Sequence, residues 1–517
     1  MSASQKHHLN GGGGILKGDA FARNAPLSRL LSSLSCRDKK GSPPEGMLQL
    51  QVSKIYTFPT LIISMPVFAA LIIFQGPGII AWGEIMTNSL WKETASMPTF
   101  PTQQGSARTD VLIIGGGIAG ILCAYMLAQA GIEYILVEEQ EICSGITENT
   151  TAKVTAQHGM VFDQLLRRFG PERTACYLRA NLDAVEQYRK LCQDMDCGFQ
   201  DQDSFVYSSD AKELHREMDA LQKLTFSAQL VREIPIPVDH TGAVGFAGQA
   251  QFHPLRFLGH IAKELNIREH TVVRELKDST AVTNGGRIRA DRIIVATHFP
   301  FLNKHGSYFL KLYQQRSYVL ALEQAQRLDG MYIGSQKNSL SFRGCGDLLL
   351  LGGGGHRTGK TGGNWAELKN FAQLHYPGAS ARYLWATQDC MTLDGLPYIG
   401  RYSMGTKGLY VATGFNKWGM TNAMAGAMLL RDMLQGKENP YADVVSPSRS
   451  ILRPQLLVNA AEATGNLLRF SEKRCPHLGC ALKWNPQERS WDCPCHGSRF
   501  DRDGHRLNNP ATGDLKE

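Results

Sequence analysis

Two short cysteine–histidine motifs near the C-terminus carry the residue types of a metal centre. The first is Cys475-x-His477, and the second is Cys493-x-x-His496. Two thiolates and two imidazoles form the ligand set of a [2Fe–2S] centre in which histidines replace two cysteines on one iron. The same four groups also suit tetrahedral zinc. The residue types therefore indicate a metal site and leave iron–sulfur and zinc open.

Two further cysteines, Cys480 and Cys495, lie at matching offsets in the same two loops. With them, residues 470–512 resemble the Rieske [2Fe–2S] proteins of cytochrome complexes, in which such a pair forms a disulfide that joins the loops. The resemblance implies a Cys480–Cys495 disulfide and a cluster in place of zinc. The ligands that it implies are Cys475, His477, Cys493 and His496.

The same resemblance implies roles for residues around the cluster. Ser498 matches a serine that donates a hydrogen bond to a cluster sulfide, and Pro510 matches a proline loop that covers the cluster. Phe500 stands where the family has a tyrosine, so a hydroxyl that would donate to a ligand sulfur is missing. Fewer hydrogen bonds to sulfur stabilise the reduced cluster less.

A glycine motif of the form Gly-x-Gly-x-x-Gly occupies residues 115–120, between an apolar strand pattern and a helical pattern. Gly115 permits a tight turn, Gly117 lets the backbone approach a pyrophosphate, and Gly120 lets the helix pack on the strand. Glu138 ends the next predicted strand and can accept hydrogen bonds from ribose hydroxyls. The unit predicts a dinucleotide site and does not choose between FAD and NAD.

Residues 108–435 resemble the D-amino-acid oxidase/glycine oxidase family of FAD-dependent oxidoreductases. The segment 143–153 is similar to that family's flavin-lining loop, residues 394–400 to its Asp-Gly-x-Pro-x-Ile-Gly turn, and residues 410–421 to its C-terminal glycine-rich strand and helix. The resemblance implies FAD as the cofactor. Beyond the glycine motif and Glu138, the cofactor-binding residues that it implies are Thr150, Thr151, Asp394, Gly414, Gly419, Met420 and Thr421.

One departure from that family bears on the substrate. The family's arginine for the substrate carboxylate aligns with Asp389, and an acid cannot pair with a carboxylate. A cationic or neutral amine therefore fits better than an α-amino acid held in the usual way, unless Arg316, Arg343 or Arg357 replaces the lost group. The catalytic residue is not identified. The candidates are His356, Arg357 and Asp389.

Residues 354–361 also match the phosphate-binding loop Gly-x4-Gly-Lys-Thr. Such a loop requires a helix that begins at the Lys-Thr pair, whereas Gly362 and Gly363 follow at once and oppose a helix start. We therefore interpret the segment as a glycine turn beside the flavin, with a nucleotide hydrolase as a disfavoured rival.

The strand and helix patterns that position these residues predict an α/β chain. The two resemblances imply a Rossmann-like FAD-binding domain with an interleaved antiparallel substrate domain of α+β type, and a small all-β Rieske domain. The predicted boundaries are 1–107 for an N-terminal extension, 108–445 for the oxidoreductase, 446–469 for a linker and 470–517 for the Rieske domain. Within the oxidoreductase, FAD-binding parts are expected at about 108–160, 240–300 and 390–435, and substrate parts at about 160–240 and 305–390.

The composition fits a folded enzyme and excludes several classes. The 517 residues are 43% hydrophobic and 20% charged, with a net charge of +8. No basic stripe with interleaved aromatics is present, which argues against a nucleic-acid binder. Residues 60–82 are apolar enough for a membrane helix, so two interpretations stay open: a membrane anchor, or an extension upstream of a start at Met86. We expect a cytoplasmic protein, with a membrane-anchored form as the alternative.

Together these patterns predict an FAD-dependent oxidoreductase, with an amine or amino acid as substrate. Electrons would pass between the flavin and a Rieske-type [2Fe–2S] cluster, and then to or from an unidentified carrier. The flavin exchanges two electrons and the cluster one, so the pair suits conversion between two-electron and one-electron chemistry. The rival hypothesis is an electron-transfer protein in which flavin and cluster relay charge without catalysis.

Overall fold

The structure, a computed structural model, describes residues 85–303 and 305–516. The predicted membrane segment at 60–82 lies outside these residues. Within the described ranges, no helix is both long enough and apolar enough to cross a lipid bilayer.

Ten α-helices and twenty-one strands make up the described part of the chain. The helices are α1 Leu90–Glu93, α2 Ile118–Gln129, α3 Phe162–Leu191, α4 Ala211–Lys223, α5 Pro254–Ala262, α6 Tyr308–Lys311, α7 Asn364–His375, α8 Gly419–Leu434, α9 Tyr441–Val445 and α10 Pro454–Leu468. The strands are β1 Ala107–Ile114, β2 Tyr134–Val137, β3 Lys153–Val154, β4 Gln200–Ser208, β5 Gln229–Val231, β6 Gly242–Gln251, β7 Ile267–Arg268, β8 Val273–Lys277, β9 Thr280–Thr283, β10 Gly286–Val295, β11 Leu312–Glu323, β12 Met331–Gly334, β13 Ser341–Cys345, β14 Leu348–Arg357, β15 Ser380–Thr392, β16 Tyr398–Arg401, β17 Leu409–Thr413, β18 Lys483–Asn485, β19 Ser490–Asp492, β20 Arg499–Phe500 and β21 Arg506–Asn508.

The first sheet has the order β16-β17-β10-β1-β2-β7, with the β8–β9 hairpin joined to β10. Its central strands are parallel, and β16 pairs antiparallel with β17. The strand β1 ends in the apolar run 111–114, which is buried on both faces. Val111 and Ile113 belong to the large core that includes α2 and α8, whereas Leu112 and Ile114 belong to a smaller cluster on the other face. Ligands of such sheets bind beyond the carboxyl ends of the strands.

The second sheet has nine strands in the order β15-β11-β14-β13-β12-β4-β6-β3, with β5 beside β6. Most neighbours are antiparallel, and β12 runs parallel to β4. The strands of this sheet come from residues 153–251 and 312–392, whereas the first sheet takes 107–137, 267–295 and 398–413. The chain therefore crosses repeatedly between the two sheets, and their edges face a common space.

The C-terminal segment folds as a four-stranded antiparallel sheet, β18-β19-β20-β21. A small apolar cluster fills it, built around the cysteines of the two metal-type loops together with Phe500 and Leu482. The predicted fold class is thereby confirmed: a Rossmann-like sheet, an antiparallel second sheet interleaved with it in sequence, and a small all-β unit at the end.

Candidate functional site

A cavity of about 1030 Å³ opens at the carboxyl ends of β1, β2, β10 and β17. Its wall includes the glycine turn after β1, the face of the antiparallel sheet, and residues 506–512 of the C-terminal segment. The volume lies at the upper end of the range for ligand and cofactor sites. The C-terminal unit therefore helps to enclose the cavity that the first two sheets create.

The glycine turn leaves no room for a side chain at Gly115 or Gly120, where backbone segments pack against each other. Gly115 has a φ of 111°, and a Cβ there would lie 2.6 Å from the carbonyl oxygen of Ala296. A Cβ at Gly120 would overlap the carbonyl oxygen of Gly115. Gly117, by contrast, would meet only the hydroxyl of Thr147 at 3.3 Å, and its backbone lines the cavity. This open cradle at the start of α2 fits a pyrophosphate.

Glu138 lies at the end of β2 and lines the same cavity. Its carboxylate accepts hydrogen bonds from the backbone N–H of Gly116 at 2.6 Å and of Gln140 at 3.0 Å. Burial raises the pKa of this carboxyl, and the two backbone donors partly offset that effect. The side chain is fixed beside the turn, where a ribose hydroxyl can reach it.

Most of the predicted cofactor residues line the cavity, but three of them, Gly120, Asp394 and Thr421, do not. Asp394 forms a bidentate ion pair with Arg449 at 2.8 Å, and the hydroxyl of Thr421 donates to the carbonyl oxygen of Thr155 at 3.0 Å. Gly120 serves the packing of α2 on β1. The predicted cofactor residues that do line the cavity are Gly115, Gly117, Glu138, Thr150, Thr151, Gly414, Gly419 and Met420.

Asp389 lies on β15 and lines the cavity. Its carboxylate has no hydrogen bond or ion pair among those found in the described residues. Burial raises its pKa, while the positive charges of Lys417 and Arg316 partly lower it. The acid at the position of the family's arginine thus faces the cavity with its oxygens free for a ligand.

None of the three arginines named as replacements lines the cavity. Arg316 pairs with Glu488. Arg343 donates to the backbone carbonyls of Thr151 at 2.6 Å and Ala152 at 2.8 Å. Arg357 donates to the carbonyls of Pro494 and Cys495, both at 3.0 Å. All three guanidiniums are hydrogen-bonded or ion-paired to other groups of the protein, so none of them takes the place of the family's arginine that binds the substrate carboxylate.

His356, another catalytic candidate, lies behind the cavity wall. Its Nε2 is 2.9 Å from the hydroxyl of Tyr318, a residue that does line the cavity. The same hydroxyl donates to a carboxylate oxygen of Glu488 at 2.9 Å. His356 therefore reaches the cavity only through Tyr318.

The two cysteine–histidine loops bring the four predicted metal ligands together as two pairs, one of thiols and one of imidazoles. The thiols of Cys475 and Cys493 are buried and hydrogen-bond to each other, which lowers the pKa of Cys475 to about 7. The rings of His477 and His496 have centroids 4.9 Å apart. Burial lowers their pKa values, to about 4 for His477 and about 3 for His496, so both are neutral imidazoles.

Both histidines have an Nδ1 atom that is buried and finds no partner in the described residues. Orphaned buried nitrogens are rare and require an explanation. Two neutral imidazole nitrogens beside two thiols that share a hydrogen bond are the donor set of a two-iron cluster. Cys480 and Cys495 are joined as a disulfide, as the resemblance implies, and so cannot contribute thiolates. The residues present fit the cluster.

The three residues predicted to lie around the cluster have the following surroundings. Ser498 hydrogen-bonds to the side chain of Cys475, and its oxygen accepts from the backbone N–H of Ala511 at 3.0 Å. Phe500 is fully buried in the same apolar cluster as the cysteines. Pro510 lines the cavity described above. The loop that the resemblance predicts to cover the cluster is therefore a wall of the cofactor cavity.

Two buried glutamines of the antiparallel sheet hold the second cluster loop, and sequence reasoning missed them. Gln314 on β11 donates to the carbonyl oxygen of His496 at 2.8 Å. Gln388 on β15 donates to the carbonyl oxygen of Gly497 at 2.9 Å and to the Gln314 side chain at 2.8 Å. A glutamine within a strand has no local signature, because its partner lies more than a hundred residues away.

Besides the two glutamines, a buried network of ion pairs connects the antiparallel sheet to the C-terminal unit. We call this contact region the joint. Glu488 accepts from Arg316 and from Arg499, with an Nε–Oε1 distance of 3.0 Å to the first and an Nη2–Oε2 distance of 2.8 Å to the second. Arg499 also pairs with Asp492 at 2.9 Å. The two guanidiniums lower the pKa of Glu488 to about 2 despite its burial. The four charges balance, which is the condition for burying them.

The segment that matches a phosphate-binding loop is part of this joint. The helix α7 begins at Asn364, after the Lys-Thr pair, as expected for a glycine turn. Lys360 forms an ion pair with Glu462 at 2.6 Å, and a Cβ at Gly359 would lie 2.7 Å from the backbone nitrogen of Pro494. The turn therefore packs against the second cluster loop.

Comparison with known proteins agrees with both parts of the chain. The family model described as "FAD dependent oxidoreductase" matches residues 110–433, and that described as "Rieske [2Fe-2S] domain" matches residues 446–517. YhfW of Bacillus subtilis (strain 168), named as a Rieske 2Fe-2S iron-sulfur protein, is 34% identical over 492 residues, which cover 83% of this chain and 96% of YhfW. Cytochrome b6-f complex iron-sulfur subunit 3 of Nostoc sp. (strain PCC 7120 / SAG 25.82 / UTEX 2576) is 33% identical over 99 residues, or 18% of this chain and 54% of that protein.

Solved structures resemble the fold at low sequence identity. Glycine oxidase from Geobacillus kaustophilus has a TM-score of 0.57 and 19% identity, covering 67% of this chain and 100% of its own. L-proline dehydrogenase from P. horikoshii has a TM-score of 0.56 and 19% identity, covering 68% of this chain and 98% of its own. At this identity the similarity establishes the architecture of the two interleaved sheets.

Proposed function

Because the chain belongs to the FAD dependent oxidoreductase family and carries a Rieske [2Fe-2S] domain at its C-terminus, we propose that it is an amine or amino-acid dehydrogenase whose electrons pass between flavin and cluster. The family makes it an enzyme that binds FAD and a [2Fe–2S] cluster. The substrate class and the internal electron transfer are the proposal.

The observation that carries this proposal is a strand shared by the two sites. On β15, Thr387 and Asp389 line the cofactor cavity, while Gln388 between them holds the cluster loop through the carbonyl of Gly497. Neighbouring strand residues point to opposite faces. One layer of backbone therefore separates the cavity from the loop that carries His496, which supports transfer between the two cofactors within one chain.

The residues that we assign to the cofactors follow from this geometry. Gly115 and Gly117 receive the FAD pyrophosphate at the start of α2, and Glu138 receives a ribose hydroxyl. Among the resemblance-based residues, we retain Thr150, Thr151, Gly414, Gly419 and Met420 for the flavin side because they line the cavity. The proposed cluster ligands are Cys475, His477, Cys493 and His496.

At the substrate end, the carboxylate of Asp389 is the group that we assign to the amine. It lines the cavity and finds no partner among the described residues, and its raised pKa suits a carboxylate that accepts a proton from a bound ammonium. When bound, FAD takes two electrons from the carbon next to the nitrogen, and the cluster carries electrons singly. Loss of the ammonium proton to an Asp389 oxygen would free the nitrogen lone pair that assists this oxidation.

The chain's remaining contribution is to exclude water and to fix orientation. Residues 506–512 close the cavity on the cluster side, and the side-chain amide of Asn509 donates to the carbonyls of Thr297 and Phe299 at the end of β10. Burial of Asp389 in the cavity wall strengthens the electrostatic effect of its carboxylate on a bound amine.

We further propose a cytoplasmic location and a one-electron carrier protein as the partner. Nine cysteines of the described residues form no disulfide. Apart from the proposed cluster ligands Cys475 and Cys493 they are free thiols, which fits a reducing compartment. The single disulfide lies buried in the cluster unit, where both of its cysteines are shielded from solvent.

An anaerobic titration of the purified holoenzyme with amines and amino acids tests the proposal. Bleaching of the flavin absorption band by a member of the panel is the expected result. Flavin that no member bleaches, but that a chemical reductant and the cluster still reduce, would support the rival electron-transfer protein. Asp389→Asn should weaken bleaching without loss of FAD, because the amide cannot accept the ammonium proton.

A further inference from the structure

The helix α10, which leads into the cluster unit, buries polar side chains and exposes apolar ones. Asn459 and Asn466, seven residues apart on one face, are both buried. Leu457 and Leu468 on the opposite face are 74% and 82% exposed. A helix of a globular protein normally turns its apolar face inward. This helix therefore presents an apolar face that has no partner among the described residues.

The apolar face continues past the end of the helix toward the first cluster loop. Phe470 is fully exposed. The guanidinium of Arg474 donates to the carbonyls of Leu467 at 3.2 Å and of Gly479 at 2.8 Å, so it fastens the end of the helix to the loop 475–480. Contiguous exposed apolar surface marks an interaction site. The apolar patch is the set of large apolar residues exposed here: Leu457, Val458, Leu467, Leu468 and Phe470.

The surroundings of the patch are basic. Arg469 follows Leu468, is exposed, and forms no ion pair within the described ranges. Burial lowers the pKa of Lys483, and the positive charges of Lys360 and Arg469 lower it further, against Glu462 alone. Three cations thus lie near one carboxylate, which is already paired with Lys360. This excess of positive charge favours a partner with an acidic surface.

The imidazole side of the cluster site faces the oxidoreductase instead. Phe299, which follows β10, packs edge-on against the rings of His477 and His496, with ring centroids 6.2 Å apart in both cases. The Nε2 atom of His477 is 3.0 Å from the side-chain oxygen of Asn303. The imidazole side thus contacts the oxidoreductase, and the α10 side presents the uncovered apolar surface.

We propose that the apolar patch is the docking surface for an acidic one-electron carrier protein that exchanges electrons with the cluster. This inference deepens the proposed function and rests on it, because it says where the carrier binds. An apolar centre with a polar rim is the composition of a specific protein interface. The basic rim attracts an acidic carrier during the encounter and orients it. A carrier bound there lies beside the loop that holds Cys475 and His477.

Two forms of cytochrome c that differ in surface charge test this on the full-length holoenzyme. Native cytochrome c is basic and its succinylated form is acidic, while both carry the same haem. The cluster is reduced with dithionite, the excess is removed, and haem reduction is followed by stopped flow. We expect the succinylated form to react about tenfold faster or more at low ionic strength, and added salt to remove most of the difference. A cluster-free Cys493→Ser variant gives the rate at which the flavin alone reacts.

Substitutions in the patch and matched controls locate the contact. Arg469→Glu should slow the reaction with the succinylated form about fivefold or more. Lys212→Glu changes the net charge equally but lies on α4, which packs on β4 and β6 at the other end of the second sheet from β11 and β15, and should have little effect. Phe470→Ser should weaken apparent binding about five- to tenfold, whereas Met404→Ser, also highly exposed, should not. FAD content and the EPR spectrum of the cluster should stay as in the wild type.

Several results would overturn the proposal. These are equal rates with the two cytochromes, patch variants that behave as their controls do, and a Cys493→Ser protein that reacts as fast as the wild type. Dimers that Phe470→Ser dissociates in analytical ultracentrifugation would assign the patch to a second copy of this chain. Binding to phosphatidylglycerol vesicles that the same variant loses would assign it to a membrane surface. Because dithionite takes the place of the substrate, absence of amine oxidation would count against the proposed function alone.

Discussion

The side-chain amide of Gln388 donates a 2.9 Å hydrogen bond to the carbonyl oxygen of Gly497. Gln388 lies in the middle of a strand whose neighbouring residues line the cofactor cavity, and Gly497 follows the proposed cluster ligand His496. A Cβ at Gly497, which has a φ of 90°, would lie 2.6 Å from the side chain of Gln314. The cluster loop and the oxidoreductase sheet are therefore fitted to each other closely.

Replacement of Gly117 by valine should abolish FAD binding while the cluster remains. The backbone of Gly117 faces the open cavity, so a branched side chain would occupy the space of the pyrophosphate. Flavin absorbance after desalting and iron content per chain provide the measurement. Gly378→Ala is the matched control, because a Cβ there meets nothing within 4 Å. A Gly117→Val protein with full flavin content would refute the assignment.

The substitution Phe500→Tyr should raise the reduction potential of the cluster. Phe500 is buried among the cluster cysteines, and an added hydroxyl that donates to a ligand sulfur would stabilise the extra negative charge of the reduced state. A bond of about 1.5–3 kcal/mol corresponds to tens of millivolts or more. Protein-film voltammetry measures the shift, with the exposed Phe470→Tyr as control. An unchanged or lowered potential would show that position 500 does not face a ligand sulfur.

The change Glu488→Gln should lower the free energy of unfolding by about 3–5 kcal/mol. It leaves the guanidiniums of Arg316 and Arg499 with the carboxylate of Asp492 alone in the joint between the sheet and the C-terminal unit. The double variant Arg316→Met with Glu488→Gln should recover part of this loss, since Arg499 and Asp492 still balance. Chemical unfolding of the holoprotein measures both.

The matched control for that cycle is Asp347→Asn. Asp347 forms an exposed ion pair with Arg327, and its loss should change the free energy of unfolding by less than about 1 kcal/mol. A double variant that is less stable than Glu488→Gln alone would contradict the charge-balance explanation.

The parts of the site that sequence reasoning found are those whose chemistry is local. The ligands in each cluster loop lie within four residues of one another, and the glycine turn is contiguous with its strand and helix. Their spacing therefore carries the information. The apolar run 111–114 and the helical pattern after it indicate one βα unit by the same local spacing, whereas the interleaved second sheet and the all-β C-terminal unit were implied by the resemblances.

The parts that it missed join residues far apart in the chain. Gln314 and Gln388 look like ordinary strand residues until the cluster loop is packed against them. Asp394, expected to bind the cofactor, instead forms a buried pair with Arg449, 55 residues later. Arg316, named as a carboxylate anchor, is neutralised by Glu488 at a distance of 172 residues. No local pattern shows which charges meet.

Transfer of electrons between flavin and cluster inside one chain is the central claim, and rapid mixing tests it most directly. The anaerobic holoenzyme is mixed with an amine that bleaches the flavin, and the EPR signal of the reduced cluster is followed at several protein concentrations. A Cys493→Ser variant that lacks the cluster serves as the reference for flavin reduction alone. The account predicts that the cluster is reduced in a first-order step whose rate does not depend on protein concentration. A cluster that stays oxidised while the flavin bleaches, or a rate that rises in proportion to protein concentration, would contradict it.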